Sequence, residues 1–142
     1  EAALAHWEAA KQAHRGSLFD GIPPDLPALA RAQKVQARVR AAGFRWPDVQ
    51  AAADKVRSEL AELKAASGQD VAEELGDTFF TLINVAIFHG VDAEQALRDA
   101  TRKFVERFAR IQTLAAAAGR PLRDHSLDEL LALWQQAKDA CG

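Results

Sequence analysis

This sequence predicts an all-α protein on three observations. Alanine, the strongest helix former, fills 31 of the 142 positions. Valine, isoleucine and threonine, which suit pleated sheets, together fill only 16. The five prolines are Pro23, Pro24, Pro27, Pro47 and Pro121, so no helix breaker interrupts the chain between Asp48 and Arg120. A chain of 142 residues suits one core, so a single module over 1–142 is expected, built as an antiparallel helix bundle.

The elements follow in order. An amphipathic stretch at Leu4 to His14 predicts an opening helix, and Gly16 to Pro24 reads as a loop. Asp25 is expected to cap a helix that carries Pro27 in its first turn and runs to Ala42, stopped by Gly43. Phe44-Arg45-Trp46 forms a short aromatic bridge, and Pro47 opens a helix lasting to about Ala66. Ser67-Gly68-Gln69 is a tight turn, and the next helix runs from about Asp70 to His89. Asp92 with Gln95 reads as a capping box for a helix through about Ala118. Ser126 with Glu129 repeats that device for a last helix to about Lys138.

Composition excludes several classes. Apolar residues make up 49%, too many for a disordered chain, yet no apolar run approaches the roughly 18 residues of a membrane span. A net charge of -2 provides no basic field for nucleic acid. The one cysteine, Cys141, has no internal partner, so a cytoplasmic location is expected. The first residue is Glu1 and not methionine, so a trimmed start or a longer parent chain is expected.

The helix from Asp70 is apolar almost all round, through Phe79, Phe80, Leu82, Ile83, Val85, Ala86, Ile87 and Phe88. Such a helix must be buried all round. Val71, Leu75 and Leu82 are expected in the subunit's own core. The opposite stripe of Phe80, Ile83 and Ile87 is expected to pair with a second copy, completing the bundle as a homodimer. The alternative is a central core helix of a monomer.

Four carboxylates carry the chemistry. Glu59 and Glu62 are three apart on one helix, and Glu74 and Asp77 three apart on the next, so each pair shares a face. The pairs are mirrored about Gly68, which brings Glu62 level with Glu74 and Glu59 level with Asp77, about 9 and 14 Å from the turn. Val56, Leu60 and Leu63 on one helix, and Val71, Leu75 and Leu82 on the other, define apolar stripes that the acids border. Four acids at one seam repel unless a cation lies between them. Hard oxygen donors without cysteine or clustered histidine select Mg²⁺, Mn²⁺ or Ca²⁺. Ordinary surface acids remain the alternative at this point.

Lys103, Arg107 and Arg110 line one face of the following helix, Trp134 and Lys138 lie one turn apart on the last, and Lys55 stands one turn before Glu59. A divalent ion flanked by cations suits a polyphosphate, and Trp134 is available to stack on a base. The competing reading pairs Lys103 and Arg107 with Asp99 and Glu106 and packs Trp134 among Leu127, Leu130 and Leu131.

The chain resembles MazG-type nucleoside triphosphate pyrophosphohydrolases of the all-α pyrophosphatase superfamily. The matching blocks include Ser17 to Pro23, Ala32-Gln33-Lys34-Val35-Gln36, Gly43-Phe44-Arg45-Trp46, Lys55 to Glu62, Glu73 to Asp77, Lys103 to Phe108 and Trp134 to Lys138. Ser58 stands where the family's first motif has a glutamate, and Arg45 where it commonly has aspartate. The resemblance implies hydrolysis of a nucleoside triphosphate to monophosphate and pyrophosphate with Mg²⁺, or Mn²⁺ as substitute. It implies metal ligation and catalysis by Glu59, Glu62, Glu74 and Asp77, and nucleotide contacts from Lys55, Lys103, Arg107, Trp134 and Lys138. Asn84, continuing the polar stripe of Glu74 and Asp77, is added as a substrate contact. A homodimer is typical of the family. Hydrolysis of dUTP or phosphoribosyl-ATP, and a noncatalytic dimerising module, are the alternatives.

Overall fold

A computed structural model describes Ala3 and residues 16–141. The opening helix expected at Leu4 to His14 lies outside the described residues. Five α-helices and one 3₁₀ turn are found among the described residues, with no strand: α1 (Ala28–Ala41), α2 (Val49–Ala65), α3 (Asp70–Phe88), α4 (Ala93–Ala117), a turn at Leu122–Asp124, and α5 (Leu127–Cys141). The all-α expectation is met. The chain divides into two compact units, one through Glu94 and one from Gln95.

In the first unit α3 packs against both α2 and α1. The α2–α3 turn depends on Gly68, whose φ of +59° is a left-handed conformation that side chains disfavour. Polar staples hold α1 in place. Gln33 donates to Val91 O at 2.9 Å and accepts from Ala93 N at 2.8 Å. Gln36 donates to Phe80 O at 2.6 Å. Arg38 donates to Leu18 O and Asp20 O at 2.9 and 3.0 Å, strapping the preceding loop to the helix.

Two helix starts differ from expectation. Pro27, not Asp25, occupies the N-cap of α1, with ψ 145° and no side-chain cap. A proline holds φ near the helical value and lacks the donor that a first turn would leave unpaired. The α2 cap is Asp48, whose carboxylate accepts from Ala51 N at 2.8 Å, so Pro47 lies outside the helix.

The faces of α3 are the main correction. Ile83, expected at a dimer contact, is 2% exposed within the chain, while Val71, Leu75 and Leu82, expected in the core, are 39–46% exposed. The buried set on α3 is Thr78, Thr81 and Ile83. Each threonine hydroxyl donates to the carbonyl one turn back, Thr78 to Glu74 O and Thr81 to Asp77 O at 2.8 Å, which satisfies it internally. Such residues tolerate burial that their polarity argues against. Val71, Leu75, Phe79 and Leu82 are left open on this helix, and so is Phe80 of the stripe expected at the dimer contact.

In the second unit the Ser126–Glu129 capping box forms as expected. Ser126 N donates to Glu129 Oε1, and Glu129 N donates to Ser126 Oγ, both at 3.1 Å. Phe104 on α4 meets Phe108 and Trp134 at ring separations of 5.9 and 5.2 Å.

Candidate functional site

The hairpin of α2 and α3 brings three of the four predicted carboxylates together. One oxygen each from Glu59, Glu62 and Glu74 lies within 4.8 Å of the others. Asp77 stands outside that set and is exposed, although its charge still acts on Glu74 and Lys55. The acids do more than border the seam. Glu59 is 6% exposed beside fully buried Ala52, whereas Leu60, expected inside, is 49% exposed. The helix is thus rotated so that the carboxylate points inward.

Burial of an ionised acid demands a partner. Glu59 has one in Lys55, whose Nζ lies 2.8 Å from Oε1. The hydrogen bond to Glu59 and that carboxylate's charge raise the Lys55 pKa, with Glu62 and Asp77 adding smaller pushes. Burial raises the Glu74 carboxyl above its ordinary value, reinforced by the charges of Glu62, Asp77 and Glu59. The second oxygens of Glu59 and Glu74 are both buried with no hydrogen-bond partner. Buried, orphaned carboxylate oxygens within a cluster of acids are what a hard divalent cation would satisfy. The acidic cluster therefore fits a metal ion.

The remaining predicted residues fall into two places. Asn84 lies on α3 and lines a pocket with Gln36, Val39, Phe80 and the Gly43–Trp46 bridge. Lys103, Arg107, Trp134 and Lys138 belong to the second unit. There Arg107 lies over the Trp134 ring at 5.6 Å. The pairing that competed for Lys103 and Arg107 is not formed. Asp99 and Glu106 serve Arg102, at 3.3 and 4.0 Å. Trp134 packs on Phe104 and on Arg107, a contact that spacing from Leu127, Leu130 and Leu131 did not foretell.

Sequence reasoning missed Gln36, which is 2% exposed with its carbonyl oxygen unpartnered. Its signal was a glutamine interrupting the α1 apolar stripe of Leu29, Ala32 and Val39 at helical spacing.

No family model matches the chain. It is 38% identical over 137 residues to the nucleoside triphosphate pyrophosphohydrolase/pyrophosphatase MazG of Thermotoga maritima, covering 93% of this chain and 54% of that protein. It is 38% identical over 146 residues to the nucleoside triphosphate pyrophosphohydrolase of Escherichia coli K12, covering 95% and 56%. A nucleoside triphosphate pyrophosphohydrolase of Mycolicibacterium smegmatis is 30% identical over 153 residues, covering 96% and 38%. The chain thus spans about half the length, or less, of the curated relatives it matches. By sequence the chain is homologous, over nearly its whole length, to part of proteins named MazG or nucleoside triphosphate pyrophosphohydrolase.

Proposed function

We propose that this chain, acting as one module, hydrolyses nucleoside triphosphates to the monophosphate and pyrophosphate, in nucleotide-pool house-cleaning in the cytoplasm. The observation that carries the reading is the pair of buried, unpartnered oxygens on Glu59 and Glu74 beside Glu62. It is supported by the activity for which relatives that align with more than nine-tenths of the chain are named.

Mg²⁺, with Mn²⁺ as substitute, is the cofactor proposed for Glu59, Glu62, Glu74 and Asp77. When bound, it would neutralise phosphate charge and acidify a water. Water adds to the α-phosphorus, the α–β anhydride bond breaks, and the bridging oxygen leaves with pyrophosphate. A carboxylate of the cluster takes the proton released by the attacking water. Lys55, already at Glu59, holds positive charge at the rim of the cluster. Lys103, Arg107, Trp134, Lys138 and Asn84 are assigned to the nucleotide, the cations as phosphate donors. A homodimer is part of the proposal, with the open Val71–Leu75–Phe79–Leu82 stripe as the contact. No helix among the described residues is long and apolar enough to cross a membrane.

Pyrophosphate release from a panel of nucleoside triphosphates, with and without Mg²⁺, tests the reading. Metal-dependent release at a 1:1 ratio to monophosphate is expected. Orthophosphate as the first product, or no turnover of any triphosphate, overturns it.

A further inference from the structure

We propose that Lys55 is the built-in counter-ion of the acidic cluster: it neutralises Glu59 in the metal-free protein and gives that carboxylate up when a divalent cation enters. The inference rests on the metal reading above and adds what the cation must displace.

The observations meet in one ion pair. Glu59 is 6% exposed, and an ionised acid so enclosed is unstable without a partner. Its Oε1 meets Lys55 Nζ at 2.8 Å, whereas its Oε2 is buried with no hydrogen-bond partner. The lysine therefore answers half of the carboxylate. Among the described residues Lys55 has no second ion pair, so it holds one acid of a cluster of three.

The pair is also built to open. Lys55 and Glu59 are one turn apart on α2, so their contact ties no two elements together. Lysine placed N-terminal to glutamate is the less stabilising order on a helix. The Lys55 side chain is 38% exposed against 7% for Glu59. The ammonium can therefore turn out into water on its flexible stem while the carboxylate stays inside.

A divalent cation reverses the balance. It brings two charges where lysine brings one, and oxygens from Glu59, Glu62 and Glu74 can satisfy it together. An ammonium left on the same carboxylate would face that cation at close quarters, in a partly buried site where water screens repulsion poorly. The lower-energy arrangement sends Lys55 to the solvent-facing rim. Lys55 thus keeps Glu59 turned inward until the cation arrives, and it weakens cation binding by the strength of the pair.

Two measurements test this. In NMR spectra of the chain with isotope-labelled lysine, the Lys55 ammonium signal is identified by its loss in Lys55→Arg. That signal is expected to be protected from solvent exchange in a chelator, and saturating Mg²⁺ should abolish the protection. In calorimetric titration, Lys55→Met should bind Mn²⁺ about 10-fold more tightly than the parent, the low end for a charged hydrogen bond because Lys55 is partly open to solvent. The same variant should melt below the parent in a chelator and level with it at saturating Mn²⁺. Protection that survives saturating Mg²⁺, or Lys55→Met binding Mn²⁺ no more tightly than the parent, overturns the inference. Should Lys55→Met fail to fold, the exchange measurement on the parent decides alone. A parent that binds neither ion overturns the cofactor reading and the inference together, whereas binding with the protection intact overturns the inference alone.

Discussion

Glu74 and Glu129 both sit near the start of a helix, and the two carboxyls are driven in opposite directions. Glu129 is held down at about 2, first by the Arg120 guanidinium and then by the backbone and hydroxyl of Ser126. Glu74 is pushed up, first by burial and then by the charges of Glu62, Asp77 and Glu59. The helix dipole favours a negative charge in both places, so it does not decide the outcome. Neighbours do. An acid met by donors closes a helix end, whereas one buried among other acids fits a cation. Within one chain the first arrangement serves the fold and the second is the one proposed as the site.

The strongest way to break this contrast is to delete an acid from each cluster. Glu59→Ala, Glu74→Ala and Asp77→Ala should each lower Mg²⁺-dependent turnover by about 100-fold or more, since even outer partners of a metal cost up to about that much. Without metal, Glu74→Ala and Asp77→Ala should melt no lower than the parent, because mutual repulsion is relieved. Glu129→Ala should do the opposite, melting lower with turnover per folded molecule intact. Steady-state pyrophosphate release and thermal melts in a chelator read both quantities. Normal turnover of Asp77→Ala at limiting Mg²⁺ would remove it from the site.

The cations divide in the same way. Arg120 is committed to Glu129 and to Asp124 O, and Arg102 to Asp99 and Glu106. Among the described residues Lys103 and Arg107 form no ion pair. Lys103→Ala or Arg107→Ala should therefore weaken nucleotide binding by about 10- to 150-fold, the cost of one charged hydrogen bond to phosphate. For Lys103→Ala the melting temperature should stay within about 1 °C, as an unpaired surface charge carries little stability. Arg102→Ala is the control, with binding unchanged. A large loss of stability with unchanged kinetics would return Lys103 and Arg107 to a purely structural role.

Much of this was legible from residue types and spacing. Helices α2 to α5 follow from alanine content, glycine stops and caps, and the mirrored acids about Gly68 led to the cluster. What failed was rotation about the helix axes. The apolar stripe of Val56, Leu60 and Leu63 pointed inward by hydrophobicity, yet Glu59 is buried and Leu60 is half exposed. Periodicity treats a carboxylate as a surface residue and cannot weigh Lys55 beside it. The same bias placed Ile83 at an interface and overlooked Thr78 and Thr81, whose hydroxyls are satisfied by their own helix. Gln36 was missed for that reason too, since its bond to Phe80 O crosses from one helix to another.

The smallest effects are the ones that give the comparison its sign. Glu129 lies below its ordinary value of 4.5, so its contribution to stability is complete above about 4.5 and is lost as pH falls through about 2. The advantage of the parent over Glu129→Gln should shrink across that window. Glu74 lies above 4.5, so in the metal-free protein its contribution is complete below that value and is lost as pH rises through its folded value. Glu74→Gln should accordingly be the more stable protein at neutral pH in a chelator, with the difference vanishing on acidification. Ser126→Ala removes one cap from α5 and should cost about 1 kcal/mol, without the opposite slope. Denaturant melts from pH 7 down to 2 measure all three. If the Glu74→Gln and Glu129→Gln differences run in the same direction with pH, neighbours do not distinguish the two acids and the contrast fails.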